Sequence, residues 1–101
     1  MAVKITITFW DPVDPAAFER HYVETHDPLV RAQPGVRAYE YGRALNNFDG
    51  SPPEAFWVAS LTFDDVEAMH ASFASEAGKK TAADTANLVT GAMKSVISEV
   101  V

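Results

Sequence analysis

The stretch from Val3 to Val30, VKITITFWDPVDPAAFERHYVETHDPLV, changes its hydrophobic period, which indicates a strand followed by a helix. Up to Trp10, apolar residues alternate with other residues and β-branched side chains are frequent, as is typical of a β-strand. One face carries Val3, Ile5, Ile7 and Phe9, and the other carries Lys4, Thr6, Thr8 and Trp10. After the turn residues, Asp14 is suited to cap a helix whose first residue is Pro15.

The helix predicted from Pro15 to about Gln33 carries a largely aromatic stripe that is interrupted by a proline. The stripe consists of residues spaced by three or four: Phe18, Tyr22, His26, Leu29 and Val30. Pro28 lies inside this pattern and lacks a backbone N–H. It should therefore kink or split the helix near His26 and Asp27.

The rest of the chain predicts three further strands. They are expected at Val36–Leu45, Ala55–Phe63 and Lys94–Val101, and the last alternates as the first one does. Turn residues are dense from Asn46 to Pro53, which predicts a loop between the second and third strands.

Two helices are expected between the third and fourth strands. Asp64 or Asp65 is suited to cap the first, which should extend to about Ser75. The Ala-rich segment Glu76–Asn87 predicts a second, short helix after a break at Gly78. The order β-α-β-β-α-β, with one added helix, is that of a ferredoxin-like α+β fold with a four-stranded antiparallel sheet. At 101 residues, the chain is expected to form one domain, residues 1–101.

One face of the predicted sheet lacks a cover, because two helices can cover only one face of a four-stranded sheet. Trp10, Tyr39 and Tyr41 are available for either face, and the sequence does not decide which. A second copy packed sheet to sheet would cover the open face, and a small chain gains from burying more surface. We therefore expect a homodimer formed through the open sheet face.

Composition and charge exclude several classes of function. The formal net charge of −6 disfavours a nucleic-acid partner, which needs a basic surface, and also disfavours anionic membranes. The sequence has no cysteine, so thiol nucleophiles, disulfides and thiolate metal sites are excluded. It has no signal-peptide core and no apolar run near the roughly 20 residues that cross a bilayer. We expect a soluble cytoplasmic protein.

His26 is the candidate functional residue, and its spacing leaves two interpretations open. In the first, His26 is a core histidine whose ring bonds a carbonyl freed by Pro28. In the second, it points into a cavity between helix and sheet and acts as a general acid/base or as a donor to a bound oxygen. Tyr22, one turn earlier, is either a core aromatic or a catalytic phenol. A pair of His26 with Asp27 is not assumed, because adjacent helical residues do not face each other.

The other two histidines, His21 and His70, predict no metal site. His21 is expected further toward solvent than the aromatic stripe, and its spacing of five from His26 is poor for joint ligation. His70 lies at the edge of an apolar stripe and is interpreted as structural. Arg37 and Arg43 are interpreted as strand-edge charges paired with Asp or Glu.

The helix around His26 resembles the signature of a known family. The run from Phe18 to Leu29, FERHYVETHDPL, is similar to the F-x-x-x-Y-x-x-x-H-x-P-L pattern of the EthD family, named for a protein linked to ethyl tert-butyl ether degradation. Weaker similarities follow at LTFD (61–64), FASEAG (73–78), Asp84 and Asn87, and EVV (99–101). The resemblance covers essentially the whole chain, and H-x-P-L is its specific part.

This resemblance implies a dimeric α+β barrel, in which two ferredoxin-like subunits pack through their sheets. It also implies that no cofactor is tightly bound and that a pocket is reached by His26, Tyr22 and Phe18. Relatives in the wider superfamily act on aromatic polyketides, lactones or haem, as cyclases, oxygenases, isomerases or decarboxylases. The EthD branch itself has no settled chemistry.

Two positions depart from the family pattern. Leu88 stands where an aromatic residue is usual, which is expected to reshape the pocket mouth. Asp27 places a charge between His26 and Pro28, where an apolar or neutral residue is common, and this puts a simple neutral-imidazole role in doubt.

Two functional hypotheses follow from the residues and the resemblance. The first is a cofactor-independent enzyme for a small, largely apolar, oxygen-bearing ring compound, in which His26 polarises or deprotonates a phenol or ketone and Tyr22 orients it. Its pocket walls would be apolar and aromatic side chains: Phe18, Leu29, Trp10, Phe56, Trp57 and Phe73. The second is a non-catalytic ligand-binding or accessory dimer in a degradation pathway. A dimer with a filled core and no pocket is a third interpretation.

Overall fold

The computed structural model describes residues 1–88 and 90–101, which form a four-stranded antiparallel sheet with helices on one face. The strands are β1 (Val3–Pro12), β2 (Ala38–Arg43), β3 (Trp57–Phe63) and β4 (Thr90–Glu99). The helices are α1 (Pro15–His21), α2 (Asp27–Arg31), α3 (Val66–Ala74) and α4 (Glu76–Thr85), and a π-helical segment, Tyr22–His26, joins α1 to α2. The strands lie in the order β2-β3-β1-β4, which confirms the predicted ferredoxin-like α+β fold. None of the helices in the described part is long and apolar enough to cross a membrane.

The two central strands, β1 and β3, direct their alternating apolar side chains toward the helices. Val3 pairs with Phe63 and Phe9 pairs with Trp57, and all four side chains are buried. Paired residues of antiparallel strands share a face, so the apolar face predicted for β1 is the helix-facing one. The core on this face consists of two clusters of buried side chains, one of Phe9, Phe18, Tyr22, Trp57, Ala59 and Leu88, and one of Val3, Val30, Leu61, Phe63 and Met69.

The opposite face of the sheet has no helix over it within residues 1–88 and 90–101. Trp10 lies on this face, where its Nε1 donates to Thr8 Oγ1 (3.0 Å) and the Lys94 ammonium lies 4.6 Å from its ring centroid. Tyr39 and Tyr41, whose face the sequence left open, pack against the core on the helix side. The open face is the surface that a second copy would bury.

The edge strand β4 begins at Thr90, four residues before the predicted start at Lys94. It pairs with β1 along its whole length, from Thr90 opposite Pro12 to Glu99 opposite Val3. Its first residues are small or polar and do not alternate in hydrophobicity, so a period-two pattern misses them. Pairing with β1, which itself extends beyond Trp10, holds these residues in the extended conformation.

The break between α3 and α4 lies at Ser75, so the prediction of a break at Gly78 was wrong. Ser75 has extended backbone (ψ 164°), and its Oγ accepts from the Gly78 N–H at 3.1 Å, which caps α4. Gly78 lies inside α4, where a Cβ would overlap the backbone of Ser72 and Phe73. Gly78 therefore allows the close approach of α4 to α3 and does not form a turn.

Candidate active site

The π-helical segment Tyr22–His26 sets the direction of the His26 side chain. In an α-helix, residues five apart are separated by about 140° around the axis, so His21 and His26 would point in different directions. Here the Asp27 N–H donates to the Tyr22 carbonyl, five residues back, and the turn closes one residue later. His21 and His26 therefore reach the same side of the helix. The α-helical hydrogen-bonding pattern is interrupted just before Pro28, where the sequence predicted a kink or split, and the backbone stays helical through His26 and Asp27.

Both histidines bond the carboxylate of Asp84, which lies near the end of α4. His26 Nδ1 is 2.9 Å from Asp84 Oδ2, and His21 Nε2 is 2.9 Å from Asp84 Oδ1. Asn87 Nδ2 donates to the same Oδ1 at 3.0 Å. His26 is 6% exposed and Asp84 is 7% exposed, so their hydrogen bond is shielded from water.

The environment of Asp84 keeps its carboxyl group ionised. Burial by itself would raise the pKa of Asp84, but hydrogen bonds from Asn87, His26 and His21 outweigh this and hold the pKa below its ordinary value. An ionised carboxylate only accepts hydrogen bonds, so His26 Nδ1 must carry a hydrogen and donate it. The second ring nitrogen of His26, Nε2, is then the atom available to a ligand.

A cavity of about 170 Å³ lies beside His26, between the sheet and the helices. Its apolar walls come from β1, β3, α2 and α3: Ile5, Ile7, Phe9, Val30, Leu61 and Phe73. Met93 and Ser95 of β4 and Ala82 and Thr85 of α4 also line the cavity. Met93 is 48% exposed, so the cavity opens to the surface between α4 and β4.

Tyr22 also lines the cavity, with its ring centroid 4.9 Å from that of His26. Its hydroxyl oxygen accepts a hydrogen bond from the Tyr39 hydroxyl at 2.8 Å, which leaves the Tyr22 O–H free to donate. Burial raises the pKa of Tyr22 to about 12, although the bond from Tyr39 acts in the opposite direction. Tyr22 is therefore a neutral donor at physiological pH.

The structure brings only some of the predicted pocket residues to this cavity. His26, Tyr22 and Phe73 line it. Phe18, Phe56 and Trp57 form the aromatic cluster behind Tyr22, where the Phe18 ring contacts both of the others at centroid distances of 5.7 Å. They support the cavity wall and do not line it.

Trp10 and Leu29, which were also predicted to line the pocket, lie elsewhere. Trp10 follows Phe9 on β1, and the strand alternation turns its ring to the opposite face of the sheet. Leu29 is half-buried on α2, beside the lining residue Val30. Leu88 is buried in the same core cluster as Phe18 and Trp57 and does not line the cavity.

Asp27 is not the carboxylate partner of His26. Its side chain accepts from Arg31 Nε at 3.0 Å, one turn further along α2. Arg37 and Arg43 also form ion pairs, with Asp64 (2.8 Å) and Glu19 (3.0 Å) respectively, as the sequence suggested.

Asp84, Asn87 and His21 were not predicted to act together with His26. One sequence signal for Asp84 was present: Gly78, Thr81 and Asp84 recur every three residues and form the buried side of α4. A carboxylate on the buried side of a helix requires a partner, and histidine is a suitable one. His70, by contrast, is exposed on α3. Among the described residues, no group of three His, Cys, Asp or Glu side chains is arranged to hold a metal ion.

The fold and the site define a ferredoxin-like α+β protein with a buried histidine–carboxylate pair at an apolar cavity. Residues 11–92 match the EthD domain, and the chain belongs to the EthD family. It is 36% identical over 96 residues to an uncharacterized 11.0 kDa protein from the thcB-thcC intergenic region of Rhodococcus erythropolis, covering 95% of this chain and 92% of that one. An EthD family protein from Bacillus halodurans superposes with a TM-score of 0.89 at 27% identity, covering all of both chains.

More distant structures share the fold alone. SnoaB from Streptomyces nogalater, a cofactor-independent oxygenase, superposes with a TM-score of 0.71 at 18% identity, covering 98% of this chain and 92% of that one. A dimeric ferredoxin-like protein of unknown function from Thermobifida fusca superposes with a TM-score of 0.77 at 15% identity, covering 99% and 92%. The neighbours therefore include dimers of this fold.

Proposed function

We propose that this protein binds a small, largely apolar, oxygen-bearing ring compound in the cavity beside His26 and uses His26 as a general acid/base, without a cofactor. The observation that carries the proposal is the 2.9 Å hydrogen bond between His26 Nδ1 and Asp84 Oδ2 at the wall of an apolar cavity. A buried histidine–carboxylate pair beside an apolar cavity is an arrangement typical of active sites.

The His26–Asp84 pair suits the removal of a proton from a ligand. His26 Nε2 takes the proton from an acidic C–H or O–H, and the electron pair left behind delocalises onto the ligand's oxygen. The Asp84 carboxylate stabilises the imidazolium that forms, because it accepts a hydrogen bond from Nδ1–H and remains ionised. Return of the proton from Nε2, to the same atom or to another one, completes the step.

Tyr22 is suited to stabilise the charge that develops on the ligand. Its hydroxyl is free to donate, and with a pKa of about 12 it stays protonated at physiological pH. A neutral donor in an apolar site stabilises a developing oxyanion more strongly than water does. We assign Tyr22 the role of donor and orienting group, and not that of a base.

The dimensions of the cavity limit the ligand to about one ring. Cavities of roughly 150 Å³ hold a benzene-sized molecule, and this one is about 170 Å³ and open between α4 and β4. A larger compound would place one ring beside His26 and extend through the opening. The fold shared with the oxygenase SnoaB is compatible with this chemistry, since oxygenation, cyclisation and isomerisation of such compounds can all begin with proton abstraction.

We also propose that two copies associate through the open sheet face that carries Trp10. The dimeric relatives of the same fold support this assembly. The cavity lies on the helix side of the sheet, so the association would leave its opening between α4 and β4 free.

The test is solvent deuterium exchange into 2-indanone, a ring ketone whose benzylic protons are acidic, followed by proton NMR. The wild-type protein should accelerate the exchange, and His26→Gln should reduce the acceleration by about 100-fold, the scale of general-base catalysis. The matched control is His70→Gln, which changes an exposed histidine on α3 and should keep the wild-type rate.

Binding without exchange would contradict the acid/base role. If saturation-transfer NMR shows that 2-indanone binds and the wild-type protein leaves its exchange rate unchanged, the protein is a non-catalytic binder of such compounds. Equal rates for His26→Gln and wild type, with both folded, would also overturn the assignment of His26.

A further inference from the structure

Gln33 holds a buried hydrogen-bond acceptor without a partner. The residue lies just after α2, its backbone N–H donates to the Val30 carbonyl, and it is only 4% exposed. Its side-chain Nε2 donates to Ser72 Oγ at 3.0 Å. Its Oε1 has no hydrogen-bond partner among residues 1–88 and 90–101. A buried carbonyl oxygen without a hydrogen-bond donor lowers the stability of the fold, so the unpaired Oε1 of Gln33 is expected to serve a function.

Gln33 lines the same cavity as His26. His26, Val30 and Gln33 follow one another at spacings of four and three, which places them along one side of the cavity. The seven-residue step from His26 to Gln33 corresponds to about 10 Å at the helical rise of 1.5 Å per residue. The cavity wall therefore presents a polar group at each end and the apolar Val30 between them.

The wall also limits the charge of what it binds. The lining residues include no Lys, Arg, Asp or Glu, and the titratable side chains among them are His26 and Tyr22. A carboxylate or phosphate would find no fixed positive charge there, and the Gln33 oxygen would repel it. A neutral hydroxyl meets the requirement of Oε1 for a donor.

We propose that Gln33 determines ligand specificity by accepting a hydrogen bond from a neutral hydroxyl of the bound compound. This inference rests on the proposed function, because it uses the same cavity, and it names the substrate class more closely. The ligand is an uncharged ring compound with polar groups at two ends. The acidic one lies at His26 Nε2, the hydroxyl lies at Gln33 Oε1, and the apolar ring lies against Val30.

A matched pair of ligands tests the hydroxyl at Gln33. 4-Hydroxybenzyl alcohol and 4-ethylphenol have nearly the same size, and both carry the phenol that His26 would bind. They differ only in the terminal hydroxyl that Gln33 would recognise. Wild-type protein should bind 4-hydroxybenzyl alcohol more tightly than 4-ethylphenol. Gln33→Met should lower the ratio of the two affinities by roughly tenfold, because it removes the acceptor that hydrogen-bonds the terminal hydroxyl. An unchanged ratio overturns the proposal.

The matched control is His26→Gln. This substitution should weaken the binding of both ligands and leave the ratio of their affinities at its wild-type value. A failure of the acid/base role in the exchange experiment would leave this ratio unaffected, so the two proposals fail separately. A ratio that falls in His26→Gln as much as in Gln33→Met would overturn the specific role of Gln33.

A second measurement uses only the wild-type protein, so it does not depend on whether a variant folds. Gln33 is the only glutamine of the sequence, so labelling with side-chain ¹⁵N-glutamine yields the amide signals of one residue. In the wild-type protein these signals should shift when 4-hydroxybenzyl alcohol is added, and shift much less with 4-ethylphenol at equal occupancy. Equal shifts with both ligands would show that Gln33 does not contact the hydroxyl.

Discussion

His26 Nδ1 and Asp84 Oδ2 lie 2.9 Å apart, although 58 residues separate them along the chain. The pair joins the π-helical segment to the end of α4 and leaves His26 Nε2 as the nitrogen available to a ligand. The same carboxylate accepts hydrogen bonds from His21 and Asn87. Asp84 is thus the residue that orients the candidate acid/base.

Replacing Asp84 by Asn should reduce 2-indanone exchange by at least about tenfold. The amide keeps the shape of the carboxyl group but removes the charge that stabilises the His26 imidazolium. The measurement is the exchange rate under the conditions used for wild type. Asp49→Asn, in the exposed loop between β2 and β3, is the control and should have no effect.

The same substitution should change how stability depends on pH. The pKa of Asp84 is lower in the folded protein than its ordinary value, so its ionised form stabilises the fold above about pH 4. This stabilisation is lost as the pH falls through the folded-state pKa. Urea unfolding should therefore show Asp84→Asn less stable than wild type at pH 7, by about 1–3 kcal/mol, with the difference closing below about pH 4. A difference that stays constant with pH would contradict the assigned charge.

Asn87→Ala should raise the pKa of Asp84. Burial raises this pKa, and the hydrogen bond from Asn87 is the strongest of those that lower it. Removing that bond leaves only the two histidines to oppose burial. A ¹³C NMR titration of the Asp84 carboxyl should show the midpoint moving upward, whereas Asn46→Ala, in an exposed loop, should leave it in place. A midpoint that does not move would remove Asn87 from the site.

Tyr39→Phe should cost about 1 kcal/mol of unfolding free energy, the usual value for a neutral hydrogen bond. It removes the hydroxyl that donates to Tyr22 at 2.8 Å and keeps the ring. The control is Tyr41→Phe, which lies next along the same face of β2, with its ring 4.7 Å from that of Tyr22. Urea unfolding should show the smaller loss for Tyr41→Phe, and equal losses would mean that the Tyr39–Tyr22 bond contributes nothing specific.

Gly78→Ala should destabilise the protein by about 2 kcal/mol, the scale of overpacking. Alanine is the better helix former by about 1 kcal/mol, but a Cβ at this position would overlap the Ser72 carbonyl oxygen. Gly42→Ala is the matched control, because, apart from its chain neighbours, no atom of residues 1–88 and 90–101 lies within 4 Å of the position that its Cβ would take. Thermal unfolding of the two variants should separate them, and a stabilised Gly78→Ala would show that the two helices move apart readily.

The order of elements and the two faces of β1 were predictable from the sequence. Alternation in β1 and the spacing of Phe18, Tyr22 and His26 are local patterns, and local patterns follow directly from which side of an element must be buried. The same patterns placed His26 and Tyr22 on the inner side of the helix, where both are found. Asp14 caps α1 as expected, with its side chain accepting from the Ala17 N–H at 3.1 Å.

The partner of His26 could be decided only by the tertiary structure. Asp84 comes from a distant helix, and no spacing along the chain encodes that contact. His21 joins the pair because the π-helical turn shifts its direction, which an α-helical projection misses. The orphaned oxygen of Gln33 likewise becomes visible only when all its neighbours are known. Local periodicity determined which side chains point inward, and packing between distant elements determined which of them meet.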